Sequence, residues 1–204
     1  GTMYGGSNIG GAVKYITKRP SADGFEGRVK FLGGEQGIAD GELSLNVPID
    51  DNWAMRVFAY SRTDDGFMTN PNSPSPVFGL VSNNPKNITQ YEENAVRLSL
   101  SGDLTDNFSI YATARYSDYD GPANNWSREL IDGAANANTG QVPDGMKYSK
   151  ILDANNLPIH KRDTVGASLE MTWAFDNFDL MSITSYSDTD SERLTDVDGT
   201  QLWV

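Results

Sequence analysis

The feature that most constrains the fold is an alternation of apolar and polar residues that recurs in seven segments of the chain. In residues 164–175, for example, Val165 and Trp173 alternate with Ser168 and Glu170. A period of two residues places successive side chains on opposite faces of a β-strand, so each segment predicts a strand, and the first six predict one apolar face. The predicted strands are residues 24–34, 39–47, 53–62, 94–104, 108–119, 164–175 and 178–187.

The seventh predicted strand has no clear apolar face. Leu180 and Tyr186 favour one face, whereas Met181 and Ile183 favour the other. Because a strand alternates with a period of two, both sets cannot face the same side. The sequence therefore predicts a strand here but leaves its orientation open.

The connections between the predicted strands alternate in length. The short ones are residues 50–52, 105–107 and 176–177, and the long ones are residues 63–93 and 120–163. Residues 35–38 form a shorter glycine-rich link, and a polar stretch at 188–200 occupies the next long-loop position. Outer-membrane barrels separate periplasmic turns from longer outer loops in this way, whereas a soluble β-sandwich has no reason to do so.

Aromatic residues lie near both ends of the predicted strands. Those beside the short turns are Trp53, Phe108, Phe175 and Phe178, and those near the long loops are Tyr60, Tyr116 and Tyr186. Aromatic girdles at two membrane interfaces have this distribution. The fold class predicted is all-β: an antiparallel transmembrane β-barrel. It is partial, because about seven strands cannot close a barrel, and an open edge is not tolerated in lipid.

Composition narrows the functional classes. The net charge of −12 argues against nucleic acid as a partner, because binding to phosphates needs a basic face. No stretch approaches the roughly 18 apolar residues of a transmembrane helix. The chain has no cysteine, which excludes disulfides and cysteine-ligated metals.

Residues 1–20 read GTMYGGSNIGGAVKYITKRP, a glycine-rich turn followed by a predicted strand at 12–18 that ends at Pro20. This pattern resembles the last segment of the plug domain in TonB-dependent outer-membrane receptors, which lies just before the first barrel strand. The resemblance implies that residues 1–20 end a plug domain and residues 21–204 begin the barrel. We therefore expect a fragment of a longer protein, with roughly the first third of a 22-stranded barrel.

The same resemblance implies a function. Receptors of this family take up a scarce solute across the bacterial outer membrane, most often a ferric siderophore, and others take cobalamin, haem or oligosaccharides. The implied partners are outer-membrane lipid, the small-molecule ligand, and the TonB complex through an N-terminal region absent from this chain. No catalysis and no cofactor are expected. The alternatives are a passive porin-like channel and a soluble β-sandwich or adhesin.

The candidate site residues fall into two groups. The first consists of charged residues that the alternation places opposite the apolar face: Arg28, Lys30, Arg56, Arg97, Arg115 and Glu170. In a barrel they face the lumen, where they contact the plug or line a path for an anionic substrate. The second group is in the long loop at 120–163, where Trp126 and Arg128 are candidates for stacking and anion contact.

Three other motifs do not support catalysis or metal binding. The glycine cluster at 5–11 lacks the Lys-Ser/Thr of a phosphate-binding loop. Residues 196–199 resemble half of a calcium loop but lack its third acidic position and closing glutamate. His160 is the only histidine and is predicted in a loop, which argues against a zinc site or a Ser-His hydrolase. No metal site is therefore predicted.

Overall fold

The computed structural model describes residues 16–67, 89–123 and 159–195. Those residues form a single sheet of seven antiparallel strands in chain order. The strands are β1 (Glu26–Gly33), β2 (Ala39–Pro48), β3 (Trp53–Asp64), β4 (Tyr91–Thr105), β5 (Phe108–Gly121), β6 (Ile159–Ala174) and β7 (Asp179–Leu194). Within the same residues there is no helix long and apolar enough to cross a membrane.

Local hydrogen bonds explain the short turns at one end of the sheet. Between β2 and β3, the Asp50 carboxylate accepts from the backbone N–H groups of Asn52 and Trp53, both at 2.8 Å. Between β6 and β7, the N–H of Phe175 donates to the carbonyl of Phe178 at 2.9 Å. Aspartate stabilises such turns because its side chain bonds the backbone two or three residues ahead.

The strand register sorts the side chains onto two chemically different faces. One row across β3 to β7 is Val57, Leu98, Ala114, Ala167 and Tyr186. A neighbouring row across all seven strands is Arg28, Ser44, Phe58, Arg97, Arg115, Gly166 and Ser187. These rows define the apolar face and the charged face of the sheet.

The apolar face has no protein cover among the described residues. Leu98 is 45% exposed, Val165 50% and Tyr186 63%, and Ala54 is the buried apolar residue of the described chain. A soluble sandwich covers this face with a second sheet, whereas here every described strand belongs to one sheet. The fold class predicted from sequence is thus confirmed as part of a β-barrel sheet, and the described strands do not form a sandwich.

The apolar face on β6 is somewhat shorter than the band of about 25 Å that outer-membrane barrels present to lipid. On β6 it runs from Val165 to Trp173, which is about 27 Å along a strand and about 20 Å of height at a tilt near 40°. Aromatic rings lie at its short-turn end, where Phe108 stacks on Trp173 with centroids 4.0 Å apart. Phe175 stacks on Phe178 in the adjoining turn at 4.7 Å.

Several strands extend further toward the long loops than predicted. β4 begins at Tyr91 instead of 94, β6 begins at Ile159 instead of 164, and β7 continues to Leu194 instead of 187. The part of the predicted polar loop at 188–194 is therefore strand, and His160 lies on β6. Charged residues at these ends interrupt the apolar alternation, while backbone pairing continues, as between Lys161 and Asp120 on β5.

Register also corrects one aromatic prediction and settles one ambiguity. Tyr60 lies opposite Glu42 and so belongs to the charged face, not to an interfacial girdle. On β7, Leu180 lies opposite Trp173 on the apolar face. Ile183 lies opposite Glu170, which places it on the charged face together with Met181.

A prediction distinguishes the two faces. We expect Leu169→Arg, on the apolar face, to lower the free energy of unfolding by about 2–4 kcal/mol in lipid vesicles, because it exposes a charge to hydrocarbon. The matched variant Ser185→Arg places the same side chain on the charged face and should change stability far less. Urea unfolding of the full gene product in vesicles measures both. Equal losses would contradict the assignment of the faces.

Candidate functional site: a basic groove on the charged face

The segment before β1 crosses the charged face as a strap, defined here as residues 17–23. At one side, the Arg19 guanidinium donates to Glu170 on β6 at 2.9 Å and lies over the ring of Tyr111 on β5, 4.4 Å from its centroid. The hydrogen bond to Glu170 raises the pKa of Arg19, and burial opposes this to a smaller extent. The strap thus fastens to the sheet through a charged, ring-stacked contact.

At its other side the strap is held by a fully buried asparagine. The Asn46 side chain accepts from the N–H of Ser21 at 2.9 Å and donates to the carbonyls of Ser21 and Gly24, both at 2.8 Å. Neighbours of Asn46 in the same row of the charged face, Arg56 and Ser99, are also buried. A buried amide is stable only when its hydrogen bonds are satisfied, so Asn46 specifies where the strap sits.

Glu26 joins the strap to the sheet at the first strand. Its carboxylate pairs with Lys18 of the strap and with Arg56 of β3, the latter at 3.2 Å. Arg56 also donates to the hydroxyl of Ser44 at 3.4 Å. Arg56 is thus a buried cation that shares one carboxylate with a second cation.

A groove of about 920 Å³ lies beside the strap, on the side nearer the long loops. The strap contributes Thr17 and Lys18 to its wall. Four arginines from four strands line the remainder, namely Arg28, Arg56, Arg97 and Arg115. Its volume is in the range of small-molecule binding sites. We call it the basic groove.

The arginines of the groove are incompletely neutralised. Arg97 lies directly opposite Arg115 in the register of β4 and β5, an arrangement that is unfavourable without an anion. Within the described residues neither forms an ion pair, and Arg28 forms none. Arg115 donates to Ser187 at 3.4 Å and lies over Gly166, where an added Cβ would be 2.6 Å from its Nε atom.

The structure places all six predicted charged residues on the charged face. It brings the four arginines together in the groove, whereas Lys30 is one row nearer the long loops. Glu170 is nearer the short turns and pairs with Arg19. That this face lines a lumen or contacts a plug stays a prediction. Trp126 and Arg128 lie outside the described residues, as do the glycine cluster and residues 196–199.

Sequence reasoning missed the strap contacts. No local sequence pattern marks Lys18, Arg19 or Asn46 as contact residues. Arg19, for example, bonds Glu170, which is 151 residues away in the chain. Polar Asn46, between Leu45 and Val47, looks like any residue of a charged face. Only the fold reveals that it is fully buried.

A second cluster, also missed, lies on the charged face at the long-loop end. The rings of Tyr91 and Tyr119 stack with centroids 6.1 Å apart, and Arg62 lies over Tyr91 at 5.3 Å. His160 lies against Tyr119 at 5.5 Å and bonds Ser191 at 3.2 Å. Among the described residues no group of three or more His, Asp or Glu side chains is placed to hold a metal ion.

Comparison with known proteins gives a match in fold. No protein-family model matches the chain, and no curated protein matches it. Among solved structures, the chain is similar to the ferric yersiniabactin uptake receptor FyuA from Yersinia pestis, with a TM-score of 0.64 and 14% identity. The match covers 87% of this chain and 24% of that receptor chain. At this identity the likeness shows the fold, a partial β-barrel.

A prediction tests how the strap is held. We expect Asn46→Ala to accelerate hydrogen–deuterium exchange at the Ser21 amide and to destabilise the protein by about 1–3 kcal/mol, because it leaves buried polar groups unsatisfied. Asn52→Ala, in an exposed turn, is the matched control. Unchanged exchange at Ser21 would show that other contacts hold the strap.

Proposed function

We propose that this chain is part of an outer-membrane receptor for TonB-energised uptake of a scarce solute, with a ferric siderophore complex as the favoured cargo. The observation that carries the proposal is the strap: the end of the plug-like sequence is fastened to the charged face of a barrel-type sheet through Arg19, and Asn46 holds the adjoining Ser21. The fold likeness to a ferric siderophore uptake receptor supports the same class.

The two faces of the sheet suit the two environments of such a receptor. The exposed apolar face, with stacked rings at its short-turn end, is suited to outer-membrane lipid. The charged face is suited to a filled lumen, because its cations need partners that lipid cannot supply. In this proposal residues 1–20 end a plug domain and residues 21–204 begin the barrel.

The proposed work is mechanical and involves no catalysis and no cofactor. Ligand bound on the outer side shifts the conformational equilibrium of the plug. Force from the TonB complex then opens a path past the charged face. The TonB contact belongs to an N-terminal region beyond this chain. The strap is the part of that machinery present here, since it links the plug-like sequence to β1 and to Glu170 on β6.

An uptake experiment tests this proposal. The full gene product is expressed in cells with and without TonB, and accumulation of a panel of ⁵⁵Fe-labelled siderophores is measured. We expect accumulation of at least one complex that disappears without TonB. Accumulation that persists without TonB would indicate a passive porin-like channel, and no accumulation of any complex would point to another cargo such as cobalamin, haem or an oligosaccharide.

The strap gives a further prediction for the same assay. Glu170→Arg should reduce TonB-dependent uptake, because it places two guanidinium groups against each other at the Arg19 contact. Adding Arg19→Glu should restore part of the lost uptake by re-forming an ion pair of reversed polarity. The exposed reversal Asp120→Arg, on the apolar-face side of β5, is the control. Failure of the double variant to recover would argue against a functional role for this pair.

A further inference from the structure

We propose that the basic groove binds the anionic part of the cargo, a compound that carries two or more carboxylates. This inference rests on the proposed function and deepens it, because it assigns a substrate class to the charged face. It concerns the groove lined by Arg28, Arg56, Arg97 and Arg115 beside the strap.

The charge of the groove departs from that of the whole chain. Five cationic side chains and two carboxylates line it, a local excess of three positive charges, in a chain with a net charge of −12. One of the two carboxylates, Glu26, is already shared between Lys18 and Arg56. The groove therefore attracts anions, and its own acids do not satisfy its cations.

The geometry suits carboxylates better than single point charges. Arg97 and Arg115 lie directly opposite each other, so their Cβ atoms are about 5 Å apart and their forked donors reach the same space. A guanidinium binds a carboxylate through two parallel hydrogen bonds. Phe58, between Arg28 and Arg97 across the sheet, offers an apolar surface for the carbon skeleton of such a ligand.

The alternative occupant is the set of carboxylates of a plug domain. The adjoining segment does not favour it: residues 1–20, the proposed end of the plug, contain Lys14, Lys18 and Arg19 but no aspartate or glutamate, and Asp23 is the one acid of the strap. Where this segment reaches the groove, it adds Lys18 to the positive charge. The nearest part of the preceding domain therefore increases the need for an anion.

The groove is also placed where a diffusing ligand would meet it. Three of its arginines, Arg28, Arg97 and Arg115, lie one row nearer the long loops than the row of Asn46 and Arg56. A solute that enters from the long-loop end reaches Arg97 and Arg115 before the strap. Its volume of about 920 Å³ accommodates a compound of drug size.

Citrate and its uncharged triethyl ester test the inference, because they share a skeleton and differ in charge. Binding to the full gene product in detergent is measured by isothermal titration calorimetry, which needs no TonB. We expect citrate to bind, the ester not to bind, and the Arg97→Gln/Arg115→Gln double variant to weaken citrate binding at least tenfold. Lys161→Gln, on the apolar-face side of β6, removes a cation elsewhere and should leave the affinity unchanged.

The outcomes separate the two proposals. Absence of citrate binding at millimolar concentration, equal binding of the ester, or unchanged affinity in the double variant would overturn the anion site. A fall in the thermal midpoint of the double variant without a change in citrate affinity would assign these arginines to plug contact instead. Loss of citrate binding in the double variant, in a protein that shows no TonB-dependent uptake of the siderophore panel, would keep the anion site and reject siderophore uptake.

Discussion

The structure depends on one constraint: a single antiparallel sheet must satisfy its backbone hydrogen bonds while its two faces meet different surroundings. The period of two fixes which side chains share a face, and a slip of one residue would exchange the faces completely. Leu98 and Arg97 are adjacent in sequence yet belong to opposite environments. The described residues provide no apolar cover for the face that carries Leu98, which is why we propose that this face meets lipid.

The charged face brings many ionic groups close together, which is unfavourable unless they are neutralised. Part of it is neutralised internally, through Glu170 with Arg19 and Glu26 with Lys18 and Arg56. The strap contributes Arg19 and Lys18 to these pairs and also satisfies the buried amide of Asn46. The remaining cations of the basic groove have no such partners among the described residues, so the strap both fills one part of the face and borders the part left open.

The sequence was sufficient to predict the faces of most strands but not the arrangement across them. Alternation identified the apolar set, including Leu169, and the opposing charges, including Arg97 and Arg115, because periodicity is a local property. It did not locate the ends of β6 and β7, where His160 and Asp190 continue the backbone ladder without any apolar alternation. Such ends are fixed by pairing with a neighbouring strand, which no single segment encodes.

Local sequence predicts the assembly of the basic groove even less well than it predicts the strand ends. Each arginine was predicted individually, but their assembly into one groove follows from the registers of several strand pairs. The Arg19–Glu170 contact connects residues 151 positions apart and depends on the position of every strand between them. The prediction for Tyr60 was wrong for a related reason. It used the distance of Tyr60 from the long loop, whereas the position of Tyr60 in the period-two alternation places it on the charged face.

The acidic composition of the chain is compatible with an anion site because several of its carboxylates lie on the face opposite the groove. Asp118, Asp163 and Asp190 form one row on the apolar-face side, beyond the apolar band and near the long loops. The groove arginines project from the opposite face. The backbone of the sheet lies between these three acids and the groove arginines. These three acids therefore do not pair with the groove arginines, and the net charge of −12 describes the whole chain without describing its charged face.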